Sequence, residues 1–465
     1  MHFTLQQLQP VLTSAIMKAD AAVTGLTTDS RKIKAGDLFV ALRGENFDAH
    51  DFLAQVANSG AVAVVAERIP EHFALPALIV PDTKLALAEI GRYWRQQFML
   101  HVIGVTGSNG KTTVKEMISS ILSVAFGVEC RLATSGNLNN EIGVPLTILG
   151  LNSSHRAAVI EMGMNHPGEI ALLASVALPT VVLVNNAQRE HQEFMQTVKA
   201  VAEENGAAIR ALPDDGVAVI PAEDEYCSLW QQYAAERGQR KVIRFGLNSD
   251  AEVHASFVAT PFGSEVNMYI AGRASEVHLQ AAGQHNVLNA LAAAACCHAI
   301  GISDELIVAG LENFSPVSGR LQRKQASCGA MVIDDTYNAN PDSVRAAIDV
   351  LTQIGGGTVL VLGDMGEVGE NGAQFHKEIG EYAKAQGITE LYLLGDLVAH
   401  TATAYAGAHY FTEIQDLFNA LDNSIHQEKT VLVKGSRFMK MERVVSHLLA
   451  ADDGTSTQQK ITGTH

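Results

Sequence analysis

Short apolar runs that end in Gly, Asp or Asn recur along the chain, as in HVIGVTGSNG, AAVIEMG, TVVLVNN, GTVLVLGDMG and TVLVKGSR. Apolar at nearly every position rather than every second one, they predict strands buried on both faces of a parallel sheet, each opening into a loop. Segments of helical period lie between them. Leu87, Ile90, Trp94 and Phe98 form one apolar stripe behind Asp82, whose carboxylate is suited to cap the first turn. Strands alternating with helices predict doubly wound α/β sheets, which bind ligands at the carboxyl ends of their strands. The unusual polar residues of this chain fall at those ends.

Punctuation divides the chain. One boundary is expected near residue 100, where the Asp82-capped helix gives way to the HVIGVTG run, and another at SPVSG, residues 315–319, where Pro and Gly interrupt helical sequence. The expected fold class is α/β with three domains, over 1–99, 100–316 and 317–451. The tail 452–465, DDGTSTQQKITGTH, is polar, has no period and is expected to be disordered. A length of 465 residues suits that number of domains.

Charge narrows the partners. Asp and Glu outnumber Lys and Arg by 50 to 33, a formal charge of -17 with no basic block, which argues against a general nucleic-acid or anionic-membrane binder. An anionic ligand must therefore be held by a few placed cations. No apolar run approaches the roughly 18 residues of a membrane span, and MHFTLQQLQPVL lacks a charged stretch followed by an apolar one, so a soluble cytoplasmic monomer is expected. Cys130, Cys227, Cys296, Cys297 and Cys328 have neither metal-ligand spacing nor a disulfide framework, and are expected to be reduced and mostly in the core.

The most specific chemistry lies in GVTGSNGKTTVKEM. A strand enters Gly107-Ser108-Asn109-Gly110-Lys111-Thr112-Thr113 and leaves as a helix, the arrangement in which backbone N–H groups and a helix N-terminus cradle phosphate. Lys111 is suited to the β- and γ-phosphates of ATP and the Thr112 hydroxyl to Mg²⁺. The usual first Gly of such a loop is Val105 here, leaving the shorter G-x-x-G-K-T form, which disfavours ordinary GTPases, kinases and motors.

That loop resembles the ATP-dependent Mur ligase and folylpolyglutamate synthetase superfamily. Further stretches are similar to its members that join D-alanyl-D-alanine to a UDP-N-acetylmuramoyl-tripeptide: SGNLNNEIGVPLTIL, VIEMGMNHPGEI, GQHNVLNALAAAA, SGRLQ, IDDTYNANPDSVRAAI, GDMGEVGENGAQFH and VLVKGSRFMKMERVV. The resemblance runs in order from about residue 27 to 445. It implies a small N-terminal α/β UDP-binding domain, a central P-loop mononucleotide-binding sheet and a C-terminal Rossmann-like domain, working in peptidoglycan synthesis through an acyl phosphate. Rivals are a folate polyglutamating enzyme, a P-loop phosphotransferase or signalling ATPase, and an inactive scaffold.

The resemblance also implies roles. Phosphoryl transfer between anions needs metal charge at strand ends, for which Glu161 is the best candidate, with His191 at a second metal. His285, Asn286 and Asn289 correspond to the adenine side, with Arg320 toward phosphate and Asp335 toward the ribose. Tyr337, Asn338 and Asn340, with Lys434, Ser436 and Arg437, are expected at the dipeptide or phosphate. His376 matches a family position without an evident role. Ser30, Arg31, Asn46, Asp48 and His50 are expected on the UDP moiety, with Ala49 in place of the usual Gly, and Asn137, Asn139 and Asn140 along the muramoyl peptide.

One departure stands out. Where the superfamily carries a lysine carbamylated to act as a carboxylate for Mg²⁺, this chain has Asn205, and Lys199 lies on a different helical face. Glu203, Glu204 or the Asn205 carbonyl is the expected substitute. With no lysine to carbamylate, turnover should be unchanged in buffer stripped of CO₂ and bicarbonate; a loss that bicarbonate restores would reject this.

Overall fold

A computed structural model describes residues 1–44 and 46–450; the polar tail expected from 452 lies outside the described residues. The chain divides into two compact units, and it passes into the second between Phe314 and Ser315, within the SPVSG region. Two short segments, 259–263 and 280–283, also belong to the second unit. Residue 100 lies inside the first unit, which contains a nine-stranded sheet, a smaller five-stranded sheet and the two-stranded pair of Phe3–Thr4 with Ala22–Val23.

The smaller sheet orders its five strands Ile16–Met17, Ala77–Ile79, Ala63–Ala66, Asp37–Val40 and Gly25–Thr27, parallel except at the first. Alternation along each strand separates two cores. Leu38, Val40, Val65 and Leu78 pack with Leu87 and Ile90 of the helix Thr83–Arg95, while Phe39 and Val64 pack with Leu53 and Val56. That helix is the one expected behind Asp82, whose carboxylate accepts hydrogen bonds from the N–H groups of Lys84 and Leu85. Phe98 lies beyond the helix end but keeps the stripe through an edge-on contact with Trp94.

The larger sheet has nine strands. Its parallel part runs Arg131–Ala133, Ala157–Glu161, His101–Thr106, Val181–Val184, Val217–Pro221, Lys241–Gly246 and Val253–Thr260, and an antiparallel pair, Gly263–Ile270 with Arg273–Leu279, lies at the far edge. The chain leaves His101–Thr106 for one side of the sheet and returns on the other. The strand ending at Thr106 therefore sits at the switch point, where flanking loops diverge and open a crevice. Behind it the alanine run of the helix Gln284–Ala299 is wholly buried, its small side chains permitting close packing on the helix Lys111–Phe126.

The five- and nine-stranded sheets of the first unit are joined by Arg95, which is 6% exposed. Its guanidinium donates to the carbonyls of Ala177, Leu178, Phe98 and Leu100. Burial pushes its pKa down, yet carbonyl dipoles rather than a carboxylate receive the charge. Trp94 adds a bond from Nε1 to the Leu151 carbonyl at 3.0 Å.

The second unit has one six-stranded sheet: Gln322–Gln325, Met331–Asp335, Lys429–Lys434, Gly357–Gly363, Glu390–Leu394 and His409–Phe411, parallel except for its first strand. Apolar layers cover both faces, Leu360, Leu362 and Leu432 on one and Val359, Val361 and Val433 on the other. The helix Pro341–Ile354 begins with a capping box between Asn340 and Ser343 and has Pro at its start. Of the cysteines, expected mostly in the core, only Cys296 and Cys297 are buried; Cys130 and Cys227 are half-buried and Cys328 is exposed, all as free thiols. Among the described residues no helix is long and apolar enough to cross a membrane.

Arg95→Met keeps the apolar stem but leaves buried carbonyls without donors, a loss expected to cost about 2–4 kcal/mol. The measurement is the urea unfolding free energy; a change within error would remove Arg95 as the joint.

Candidate active site

The phosphate loop follows from a steric requirement. Gly107 and Gly110 have φ of 128° and 82°, in the left-handed region, and a Cβ at Gly107 would lie 2.9 Å from Asn185 Cβ. At Gly110 it would lie 2.4 Å from Asn289 Oδ1. Only glycine lets the loop press so closely on the segment that follows Val181–Val184. The helix Lys111–Phe126 then starts with its first N–H groups directed at the loop.

Side-chain amides hold this loop from outside. Asn109 N–H donates to Asn186 Oδ1 at 2.9 Å, and both Asn185 Nδ2 and Asn186 Nδ2 donate to the Asn109 carbonyl. Asn109 Nδ2 donates to Gln188 Oε1, and Gln188 N–H to Ser108 Oγ. Asn289 Oδ1 accepts from Asn185 Nδ2 at 2.9 Å while its own Nδ2 donates to Asn286 Oδ1 at 3.1 Å. Asn286 and Asn289, expected at the adenine side, are buried and brace the loop from behind; His285 is half-buried in the first turn of the same helix.

The lysine is fully engaged. Lys111 Nζ donates to the carbonyls of Gly107 and Ser108, at 2.5 and 3.0 Å, and to Glu190 Oε1 at 2.8 Å, which uses its three hydrogens. Glu161, at the end of its strand, is 2% exposed, and its Oε1 accepts from Thr112 Oγ1 at 3.2 Å and from Asn139 Nδ2 at 2.9 Å. Its Oε2 is buried without a hydrogen-bond partner. A buried carboxylate with an unpaired oxygen is costly unless a cation or donor meets it. Beside a phosphate loop and a threonine hydroxyl, that oxygen fits a hard divalent cation shared with nucleotide phosphates, which needs only one or two protein carboxylates. Accordingly, the described residues contain no convergent set of three or more His, Cys, Asp or Glu. His191 has a left-handed φ of 47° and places Nε2 3.5 Å from Glu190 Oε1.

The expected substitutes for a carbamylated lysine have other partners in the structure. Glu204 accepts from the N–H groups of Gly168 and Ile170 and so caps the helix Glu169–Ala177, and Glu203 forms an exposed pair with Lys199. Asn205 Oδ1 accepts the Gly107 N–H at 3.0 Å, and its backbone carbonyl accepts from Thr106 Oγ1. Asn205 thus anchors the phosphate loop, and both of its oxygens are committed. Sequence reasoning missed Asn185, Asn186, Gln188 and Glu190, although the adjacent asparagines after TVVLV and the acid before His191 were the available signal.

The second unit gathers a separate group at its strand ends. Lys434 Nζ donates to Asp335 Oδ2 at 2.6 Å and to the Asn338 carbonyl at 2.9 Å. Burial pushes the Asp335 carboxyl up, opposed by the Lys434 charge. Ser436 Oγ bridges the Ala339 carbonyl and the Gly366 N–H. The guanidinium of Arg320 stacks 4.2 Å from the Tyr337 ring centre, with that of Arg437 5.9 Å away. Asn338 is exposed, whereas the Asn340 amide oxygen caps the following helix. His376, without an evident role in the sequence, is wholly buried; Nδ1 donates to the Gly372 carbonyl and Nε2 accepts from Met365 N–H.

In the smaller sheet of the first unit, Arg31 binds Asp29 through two hydrogen bonds that hold the Asp29 carboxyl down to about 2. Ser30 and Asn46 lie in turns nearby in sequence. His50 Nδ1 meets Asp48 Oδ1 at 2.6 Å and Nε2 accepts from Glu67 N–H, so this buried imidazole braces the loop; hydrogen bonds from Arg68 lead in holding Asp48 well below the usual carboxylate range. Asn140 Oδ1 accepts from the Gly143 N–H at the start of Gly143–Ile148, and Asn137 is exposed.

A P-loop at a sheet switch point, a lysine, a threonine and a buried strand-end carboxylate define a nucleotide-dependent phosphoryl-transfer site. Comparison with known proteins narrows that class. Residues 105–297 match the Mur ligase middle domain, 319–437 the Mur ligase glutamate ligase domain, and 22–94 the Mur ligase family catalytic domain. The UDP-N-acetylmuramoyl-tripeptide–D-alanyl-D-alanine ligase of Escherichia coli (strain K12) is 41% identical over 96% of this chain and 98% of its own. A crystal structure of MurF from Acinetobacter baumannii matches with a TM-score of 0.90 at 35% identity, covering 97% of this chain and 99% of that one. The MurF ligase of Thermotoga maritima, solved in complex with ADP, matches at 0.82 with 26% identity over 92% and 97% of the two chains. The chain belongs to the Mur ligase family, and it is a ligase.

Burial lowers the pKa of His376, so the unfolded chain binds its proton first as pH falls. This contribution is complete above the usual histidine value near 6.5 and declines below it, by up to about 1.4 kcal/mol per pH unit. Unfolding free energies at pH 7.5 and 5.5 should show a shallower slope for His376→Gln than for the parent; equal slopes would exclude His376 as a source.

Proposed function

We propose a residue-level account of an ATP-dependent amide ligation in which the chain adds D-alanyl-D-alanine to UDP-N-acetylmuramoyl-tripeptide. The tripeptide carboxylate attacks the γ-phosphorus of ATP, ADP leaves, and an acyl phosphate forms. The dipeptide amine then attacks the acyl carbon, phosphate departs, and the amine loses a proton as the amide forms. The UDP-muramoyl-pentapeptide product serves peptidoglycan synthesis.

The observation that carries the reading is the convergence at one strand switch of Lys111, Thr112 and the buried Glu161 with its unpaired oxygen. Lys111 neutralises the β- and γ-phosphates, and the N–H groups of residues 111–113, at the start of the helix Lys111–Phe126, orient them. Thr112 and Glu161 would hold Mg²⁺, with His191 at a second ion, which when bound supplies positive charge between the reacting anions. Asn286 and Asn289 act by fixing the loop, and His285 is the residue of that helix assigned to the nucleotide.

We assign 1–99 to the UDP moiety, 100–316 to ATP and 317–451 to the dipeptide and nucleotide closure. Arg31 is the cation assigned to the diphosphate, with Ser30 and Asn46 as neutral hydrogen-bonding groups, and it must exchange Asp29 for that ligand. Asp48 and His50 shape the loop. Asn137, Asn139 and Asn140 line the peptide, Asn139 through its bond to Glu161. Tyr337, Arg320 and Arg437 form a stacked cationic group, and Asp335, Lys434, Ser436, Asn338 and Asn340 order the loops around it. The enzyme is assigned to the cytoplasm as a monomer.

Phosphate release from ATP and Mg²⁺ should require both co-substrates, and the product should gain the dipeptide mass less water. Release indifferent to the dipeptide would point to a phosphotransferase or ATPase instead. Lys111→Ala should reduce turnover by at least about 10²–10³-fold with the unfolding midpoint unchanged.

A further inference from the structure

Outside the functions assigned above, the most unusual group in the first unit is Glu190. It follows a loop that is stitched to the phosphate loop through Asn185, Asn186 and Gln188, so its position is fixed by the same contacts that shape the nucleotide cradle. Its side chain is 12% exposed. One oxygen takes the third hydrogen of Lys111, and the other, Oε2, is buried with no hydrogen-bond partner. An anionic oxygen thus occupies the lysine that the proposed function assigns to phosphate.

We propose that Glu190 is a placeholder that couples nucleotide binding to divalent-cation binding, and that on release it becomes the carboxylate ligand which Asn205 cannot supply. The inference rests on the reading of Lys111 as the phosphate lysine. Lys111 cannot turn to the phosphates while it is held by Glu190. If it leaves alone, it strands a mostly buried carboxylate beside two incoming anions, with Oε2 already unmatched. A divalent cation arriving with the nucleotide removes both penalties, because carboxylate oxygen suits it and His191 is the neighbouring residue. Lysine and metal ion therefore exchange places on one carboxylate. Glu161 lacks this dual role, since its Oε1 accepts from the neutral side chains of Thr112 and Asn139.

The test is ADP binding to the full chain by calorimetry, in excess EDTA and in Mg²⁺. Glu190→Gln keeps the shape and removes the charge. It should bind ADP about tenfold tighter in EDTA, and the Mg²⁺ enhancement of ADP affinity should shrink by about the same factor, since the two bindings are linked. Mn²⁺ titrated into the ADP complex and followed by electron paramagnetic resonance should show one fewer tight ion in Glu190→Gln than in the parent. Glu190→Asp should restore part of the coupling. Metal-free ADP affinity equal to or weaker than the parent's in Glu190→Gln, with the Mg²⁺ enhancement intact, would overturn the proposal. Lys111→Ala separates the two readings: if it binds ADP as the parent does, the phosphate-lysine assignment itself fails, whatever Glu190 does.

Discussion

A phosphate-binding loop must leave the N–H groups at its helix end free for the ligand, so the backbone ladder that stabilises strands and helices can hold little of it. In this protein side chains from elsewhere hold it, and most of them are amides. Asn185, Asn186 and Gln188 grip it from the neighbouring strand end, Asn205 from a helix, and Asn289 through Asn185 from another. A neutral amide can donate and accept at once without adding charge to a site that will hold several anions. The glycines, the buried alanine run behind the loop and the sheet order that opens the crevice all serve this one arrangement.

The same strand-end logic organises the second unit with different chemistry. Asp335 and Lys434 end adjacent parallel strands in register, so their charges meet at the base of the loops that follow. The pair is too buried to bind an anion by itself, and its energetic yield is modest because both ions were desolvated to form it. Its value lies in placing the Asn338 carbonyl and the loop that carries Tyr337 between two guanidinium groups.

Much of this was legible in the sequence. Runs such as HVIGVT, AAVIE and TVLVK are strands because their apolar side chains need cover on both faces, and the Asp82 cap and its stripe form a helix for reasons local to a few residues. Lys111 and Thr112 stood out because phosphate chemistry constrains residue type and spacing together, whereas Glu161 stood out only through the resemblance of its motif. What composition and spacing did not disclose were pairings across long separations: Lys111 with Glu190, Gly107 with Asn205, and the use of Asn289, Asn340 and His50 as braces. An asparagine that caps a helix, supports a loop or touches a ligand looks the same in one dimension, and only the partner distinguishes the roles. Glu204 is a case in point, since nothing near it in sequence reveals the helix start at Gly168 that it caps.

The bond from Gly107 N–H to Asn205 Oδ1 carries an evolutionary consequence. A lysine at 205 would withdraw the acceptor that anchors the loop and bring a second ammonium group toward Lys111. A lysine can stand there only as its carbamate, and Glu190 would then be one anion too many. Positions 190 and 205 therefore form a two-site charge ledger whose balanced states are separated by imbalanced single changes, so lineages should cross between them by paired or closely spaced substitutions rather than by drift at either position alone.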